Sequence, residues 1–391
     1  MVNTSIDLFC GAGGLTLGLK EAGFKTLLAS DFDDKIKETF EKNFPNIRFL
    51  CKDISLINFK TLKNSLNLKT GELDLLVGGP PCQGFSMANR KRIEDDPRNL
   101  LFNHFAKSVD EFKPKCFLIE NVTGLNSENV SISSQVKPVK KAISDYFENI
   151  DYAVKFLSFQ SEEFGIPQFR RRVLILGTRL ENKKYNLIYG KIGNLKGSYK
   201  SYEDLKNEDK KQLSFLETKK IDPCTVWQSI SDLPEINAGE NGNGMKYKSE
   251  PSNFYQELMR SESNGVYNHI STPHDEKAME RIKIIKEGEN FNQLPENLRT
   301  KSVHSGAWGR LEAAGLSPTI TTRFDTPSTG RVIHPYKNRT LTVREAARIQ
   351  SFPDRFIFYG TRTSQGMQVG NAVPPLVSKA IGEMIINDFL I

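Results

Sequence analysis

Short apolar runs closed by turn residues alternate with stretches of helical spacing through the first 180 residues of the chain. Ser5-Ile6-Asp7-Leu8-Phe9 reads as a strand, and residues 15–22 read as an amphipathic helix ended by Gly23. Strands follow over 26–30 and 47–50, with a helix from Lys35 to about Asn43 between them. A buried strand over 73–78 runs into Gly79-Pro80-Pro81, where prolines fix the backbone and glycine permits close approach. Leu101, Phe105, Val109 and Phe112 recur at helical spacing and predict a core-facing helix. Residues 115–119, 152–159 and 173–177 are further apolar strands. Strands alternating with helices predict an α/β fold with a parallel sheet, whose ligands gather beyond the carboxyl ends of the strands.

The alternation stops after about Thr178. Residues 181–220 hold ten lysines against six acids, and Gly, Asn and Ser stay frequent to about residue 330. A separate, loop-rich module with a basic tilt is expected there. Within it, Thr272 as cap and Pro273 as first residue predict a helix carrying Met279, Ile282 and Ile285 and ending at Gly288. Regular structure returns at Leu341, where Thr342 and Glu345 form a capping box for a helix that Pro353 ends. Gln368-Val369-Gly370-Asn371-Ala372-Val373-Pro374-Pro375 precedes a last helix from Leu376 to about Asp388.

Composition narrows the class. No run of about 18 apolar residues appears, so no membrane span is expected. The opening residues lack a basic region followed by an apolar core, so no export signal is expected either. The five cysteines, at 10, 51, 82, 116 and 224, are odd in number and widely spaced. They point to a reducing cytosol rather than to a disulfide framework or a structural zinc. The histidines show no metal-ligand spacing. A net charge of +7 is compatible with a polyanionic partner.

Candidate chemistry collects at the strand ends. The turn Cys10-Gly11-Ala12-Gly13-Gly14 between strand and helix offers backbone N–H groups and a helix N-terminus to a ligand. Its third fingerprint position falls on Thr16 and no Gly-Lys-Ser/Thr follows, so a nucleotide-like ligand without a pyrophosphate fits best. Asp31 ends the second strand, placed to accept from ribose hydroxyls, with Phe32 beside it to stack on a purine. The third strand closes on Lys52-Asp53-Ile54. Cys82 emerges from the Gly-Gly-Pro-Pro turn, and Glu120 stands at the same sheet edge one strand later. Arg170 and Arg172 alternate along an extended segment and share a side, with Arg171 opposite.

With these pieces the chain resembles the DNA (cytosine-5) methyltransferase family. The family's signatures appear in order as Asp7-Leu8-Phe9-Cys10-Gly11-Ala12-Gly13-Gly14, then Gly79-Pro80-Pro81-Cys82-Gln83-Gly84-Phe85-Ser86, then Glu120-Asn121-Val122. Gln168-x-Arg170-x-Arg172, Arg344-Glu345-Ala346-Ala347-Arg348 and the Gln368 to Pro374 run complete the set. Asp31 stands where Glu is usual and Phe32 where Trp is common, and both keep the chemistry. Residues from about 181 to 330 match no signature.

The resemblance implies a Rossmann-like, S-adenosylmethionine-dependent methyltransferase domain with a smaller target-recognition domain inserted. Residues 1–180 and 367–391 would form the catalytic domain, 181–342 the recognition domain, and 343–366 a hinge helix and connection. Cys82 would be the nucleophile that adds to carbon 6 of a flipped-out cytosine in double-stranded DNA. Glu120 would hold or protonate ring nitrogen 3, Arg172 with Arg170 beside it would bind the exocyclic oxygen or a phosphate, and Asn121 would help position Glu120 and the base. For the cofactor, the resemblance implies Phe9 and Phe32 against the adenine, Asp31 on the ribose, and Asp53 and Ile54 at the adenine edge. It adds the turn residues Gly11, Ala12, Gly13 and Gly14, together with Gly79, an apolar wall at Leu101, and closing contacts from Asn371 and Val373. A cytoplasmic, monomeric modification enzyme paired with a restriction endonuclease is the implied setting. The rivals are a transfer-RNA cytosine-5 methyltransferase and a catalytically silent DNA-binding regulator. The former typically carries Pro-Phe-Thr after its Pro-Pro-Cys-Gln, where this chain has Gly84-Phe85-Ser86. A nicotinamide oxidoreductase is disfavoured by Thr16 and leaves Cys82 and Glu120 unexplained.

Overall fold

A computed structural model describes residues 2–80, 99–121, 129–132, 135–179, 223–300 and 306–390. The apolar runs become β1 (Thr4–Leu8), β2 (Lys25–Asp31), β3 (Arg48–Cys51), β4 (Leu75–Gly78) and β5 (Cys116–Asn121), which pair in parallel. A hairpin of β6 (Asn129–Ile132) and β7 (Gln135–Pro138) stands apart. β8 (Tyr152–Gln160) and β9 (Arg171–Arg179) then join antiparallel and complete a sheet of order β3-β2-β1-β4-β5-β9-β8. Strand order reverses between β1 and β4, the switch point at which such sheets seat ligands.

Helices cover both faces. α1 is Gly14–Glu21, α2 Lys37–Asn43, α3 Phe59–Ser65, α4 Asn99–Phe112 and α5 Val139–Glu148. On one face, Ile6, Leu8 and Ile119 pack with Phe59, Leu62, Phe105, Phe112 and Phe147 from α3, α4 and α5. After residue 222 come α6 (Val226–Ile230), α7 (Phe254–Arg260), α8 (Glu276–Ile284), the short parallel pair β10 (Gly309–Arg310) and β11 (Arg331–Ile333), α9 (Val343–Ile349), α10 (Arg362–Asn371) and α11 (Pro375–Ile385). The chain's end returns to its beginning. α11 packs on α1 so closely that a Cβ at Gly18 would lie 2.3 Å from the Pro375 carbonyl oxygen. Leu15, Leu19, Val377 and Ile381 share one buried cluster on the sheet's other face.

The region after 222 is not an isolated module. Val226, Ile230, Leu311, Ile320 and Val332 share a core with Cys10, Leu17, Phe40 and Phe44 of the first half. Buried charge ties α9 to its surroundings within the region after 222. Arg348 of α9 reaches Asp232 at 2.5 Å and Asp354 at 2.6 Å, all three fully buried. Arg344 donates to the carbonyls of Tyr267 and Phe356, and Arg339 grips Glu345 with two bonds of 2.8 and 2.7 Å. Desolvation pushes the Glu345 carboxyl up, but the Arg339 charge and hydrogen bonds outweigh it and hold the group far below the usual carboxylate range.

Two local expectations change. The helix expected from Pro273 begins at Glu276 with Asp275 as its cap, accepting from Ala278 N at 2.7 Å. Asp outranks Thr as a cap, and His274 beside it is engaged elsewhere, its Nε2 3.3 Å from both Thr340 N and Thr340 Oγ1. The capping box of Thr342 and Glu345 forms as expected. Residues 362–371, for which no helix is predicted, make α10 despite two glycines. A Cβ at Gly370 would lie 2.6 Å from the Thr321 backbone, so glycine there trades helix propensity for close approach.

Candidate active site

Parallel register brings the strand ends to one edge. Leu8 pairs with Ser30 and with Gly78, Asp31 with Cys51, and Gly78 with Ile119. β9 runs the other way, with Val173 opposite Asn121, so its amino end meets the same edge. The ends of β1, β2, β3, β4 and β5 and the start of β9 therefore share one edge on both sides of the switch point.

The turn after β1 is bent tightly. Phe9, Gly11 and Gly13 all adopt positive φ, at 62°, 53° and 95°. Phe9 carries a Cβ in this region, a strain typical of residues held for a function. Cys10 N donates to Ser30 O at 3.1 Å and Gly13 N to Cys10 O at 2.9 Å. Gly11 N donates to Asp31 Oδ2 at 2.9 Å, and Asp33 N to Asp31 Oδ1 at 3.1 Å. Asp31 is thus fixed against the turn, with a further lone pair on each oxygen to accept from hydroxyls. Burial pushes its carboxyl above the ordinary value, against these backbone bonds.

Phe32 is 71% exposed beside Asp31, a large exposure for an aromatic residue. Phe9 and Leu101 are half-buried against one cluster that also holds Leu50 and buried Ile54. Asp53 is exposed, and its Oδ1 takes both the N–H and hydroxyl of Ser55, which lowers its pKa. The C-terminal segment closes the other side. A Cβ at Gly14 would lie 2.3 Å from Val373 O and 3.3 Å from the Ala372 Cβ. Asn371 is exposed at the end of α10, while the Val373 side chain is buried. An exposed aromatic residue, an anchored carboxylate and a turn open at Gly11 but crowded at Gly13 and Gly14 fit an adenosine-bearing cofactor.

The second group lies across the switch point. Glu120 Oε1 is 3.0 Å from Arg172 Nε, both side chains mostly covered. Gly79 sits beside them, its Cβ position 3.5 Å from Glu120 Oε2. Asn121 Nδ2 donates to Pro80 O at 3.3 Å, tying the end of β5 to the turn that leads to residue 82. Cys82 itself, with Val122 and the whole lysine-rich segment 181–220, lies outside the described residues. The other cysteines divide sharply. Burial pushes the Cys10 thiol well up, and those of Cys116 and Cys224 up to about 12. None of these three supplies a thiolate near neutrality.

Arg170 does not face the same partners as Arg172. Fully buried, it donates to the carbonyls of Ile320, Gly370 and Ala372 at 3.3, 3.1 and 3.0 Å. Burial lowers its pKa to about 9, and the neighbouring Arg172 adds to the effect. Gln168, named in the sequence only as part of a run, is a second junction. Its Oε1 accepts from Ile320 N, its Nε2 donates to Gln350 Oε1, and Gln350 Nε2 reaches Val369 O, at 2.8, 2.8 and 2.9 Å. A second residue missed as a candidate is Asp7. It lies fully buried beneath the turn and accepts from Thr16 Oγ1 at 2.6 Å. Its signal was there to read, as a lone acid inside an apolar strand.

The sequence profile of the C-5 cytosine-specific DNA methylase family matches residues 3–387. The Type II methyltransferase M.DdeI of Desulfomicrobium norvegicum is 34% identical over 401 residues, covering 97% of this chain and 88% of that protein. The Type II methyltransferase M1.HphI of Haemophilus parahaemolyticus is 32% identical over 385 residues, with 98% and 86% covered. Among solved structures, a putative DNA modification methyltransferase encoded within an Escherichia coli prophage superposes with a TM-score of 0.73 at 27% identity, with 99% of each chain covered.

Proposed function

The chain belongs to the C-5 cytosine-specific DNA methylase family, and on that premise we propose that Cys82, Glu120 and Arg172 handle the target base while the 9–14 turn, Asp31 and Phe32 seat the methyl donor. The protein is a DNA cytosine-5 methyltransferase, and S-adenosylmethionine is its cofactor. When bound, the cofactor supplies an electrophilic methyl group. The observation that carries the assignment of residues is the Glu120–Arg172 pair at 3.0 Å, one strand from a turn whose Pro80 carbonyl is held by Asn121.

Carbon 5 of cytosine is a poor nucleophile. Addition of the Cys82 thiolate to carbon 6 makes the ring an enamine that can accept a methyl at carbon 5. Glu120 gives a proton to ring nitrogen 3, and the protonated nitrogen draws electrons from carbon 6; the proton returns to Glu120 when the sulfur leaves. Arg172, steered by Glu120, stabilises the charge that develops on the exocyclic oxygen. A water then removes the carbon 5 proton, and the Cys82 sulfur leaves carbon 6 as the ring regains its double bond. Arg170, with its guanidinium on three carbonyls, acts on this chemistry only by holding the strand that carries Arg172.

The base must leave the duplex to reach Glu120, so the enzyme flips it out. We assign residues 1–180 and 367–391 to the catalytic domain, 181–342 to target recognition, and 343–366 to the connection. The packing of α11 on α1 supports the first assignment, and the shared core of the two regions makes their boundary a tight one. The Type II names of the relatives support pairing with a restriction endonuclease. Among the described residues no helix is long and apolar enough to cross a membrane, which agrees with a cytoplasmic enzyme, and a monomer is the expected state.

Transfer of labelled methyl from S-adenosylmethionine to mixed-sequence duplex DNA tests the reading. Label in 5-methylcytosine, lost in Cys82→Ser and Glu120→Gln while both still bind the cofactor, is the expected result. Equal labelling by Cys82→Ser removes it as the nucleophile, and label on transfer RNA but not DNA moves the protein to the rival substrate.

A further inference from the structure

Asp7 is the only charged residue of β1. It lies fully buried between Ala29 of β2 and Val77 of β4, beneath the point where strand order reverses. α1 has no side-chain cap of its own, because its N-cap is Gly13 in the left-handed region. Asp7 takes that place from the sheet, accepting from the Thr16 hydroxyl on Oδ2 at 2.6 Å. Its Oδ1 has no hydrogen-bond partner among the described residues.

A buried carboxylate oxygen without a donor is unfavourable, and capping alone does not require it, because a neutral Asn could accept from Thr16 equally well. The titratable groups that face Asp7 are Asp31 on β2 and Cys10 in the turn, an acid and a buried thiol. From β4 its neighbour is apolar Val77, and from α1 it is Thr16. No cation among the described residues balances it. We propose that Asp7 is a positioning residue that sets the site's preference for the sulfonium cofactor over its neutral thioether product, by presenting beneath the turn a buried charge that only a bound cation offsets.

This rests on S-adenosylmethionine seating over the 10–14 turn. Loss of the methyl converts the sulfonium to the neutral thioether of S-adenosylhomocysteine. The α-ammonium and carboxylate are common to both ligands, so the sulfonium charge alone distinguishes them, and its loss leaves Asp7 without that balance. Burial, reinforced by Asp31, pushes its carboxyl up to about 7 against the Thr16 bonds. The ionised form therefore favours the sulfonium, and the protonated form is indifferent to the sulfur's charge. Binding of S-adenosylmethionine should release a proton, and its conversion to product should take one up.

The test is calorimetric titration of the whole protein with S-adenosylmethionine and, separately, S-adenosylhomocysteine, from about pH 6 to about pH 8.5. In the wild type the ratio of the two affinities should rise with pH by about fivefold or more. In Asp7→Asn it should be low and flat; a rise caused by Asp31 would survive there. Thr16→Val removes a donor from the carboxylate and should move the rise to higher pH. A wild-type curve in Asp7→Asn overturns the proposal, as does a pH-independent ratio in the wild type. Should Asp7→Asn not fold, an unmoved midpoint in Thr16→Val overturns it as well. Binding of neither ligand by the wild type defeats the cofactor seat and the proposal together, whereas binding of both at a constant ratio defeats the proposal alone.

Discussion

Replacing Arg348 by Met tests how α9 is fastened to the segments around it after residue 222. The guanidinium donates from Nε and Nη2 to both oxygens of Asp354, at 3.0 and 2.6 Å, and from Nη1 to Asp232 and to Ser229 O, at 2.5 and 3.0 Å. Methionine preserves most of the volume but leaves two buried acids without their main cation. Breaking a buried pair costs about 3–5 kcal/mol. Residual partners moderate the loss, because Asp354 keeps the Tyr247 hydroxyl at 2.8 Å and Arg344 at 3.5 Å, and Asp232 keeps Arg260 at 3.6 Å. The expected loss is therefore about 4 kcal/mol at neutral pH, read by urea unfolding with an unchanged m-value. The deficit should shrink in acid. Burial raises the Asp354 carboxyl, but the Arg348 charge and hydrogen bonds hold its net value below the ordinary 3.8. A depressed folded pKa contributes stability above the unfolded pKa and loses it as pH falls through the folded one. Adding Asp232→Asn and Asp354→Asn to the Met variant should restore part of the loss. A single-variant loss under about 1 kcal/mol, or no recovery in the triple variant, would refute the reasoning.

Gly14→Ala places a methyl 2.3 Å from Val373 O and should weaken S-adenosylmethionine binding by about tenfold or more, about 1.4 kcal/mol by titration calorimetry. Asn121→Ala removes the bond to Pro80 and should lower kcat by about 10- to 100-fold with cofactor affinity unchanged. Asp7 should show in stability as well. Because burial raises its folded pKa from 3.8 to about 7, the folded state resists losing that proton, so the penalty is absent below the unfolded value, grows as pH rises, and is complete above the folded value. Asp7→Asn should accordingly gain on the wild type in denaturation midpoint as pH rises over that window, and a constant difference would contradict it.

Much of the sheet is legible because buried parallel strands read as unbroken apolar runs, and their order follows once β–α alternation is seen. The cofactor edge is legible for a related reason. Glycines at 11 and 13 and an acid at 31 stand at strand ends, where the backbone rather than packing decides identity. Harder to see are residues whose partners are distant in sequence. Arg170 and Arg172 look equivalent in an extended run, yet one meets carbonyls around residues 320 and 370 and the other Glu120. Only the tertiary fold decides which. α10 escaped because two glycines lower helix propensity, and their purpose, room for the Thr321 and Thr322 backbone, has no local signal. The buried arginines of 339–348 read as surface charge until their acids are placed beside them.

The most direct measurement is covalent capture of the wild type on mixed-sequence duplex DNA in which cytosine is replaced by 5-fluorocytosine, with S-adenosylmethionine present. Fluorine cannot leave carbon 5 as a proton does, so elimination of the Cys82 sulfur is blocked after methylation. The account predicts a denaturation-resistant protein–DNA species whose peptide map places the nucleotide on Cys82, absent in Cys82→Ser and strongly reduced in Glu120→Gln. A stable adduct that persists in Cys82→Ser, or methylated cytosine formed without any adduct in the wild type, would contradict it.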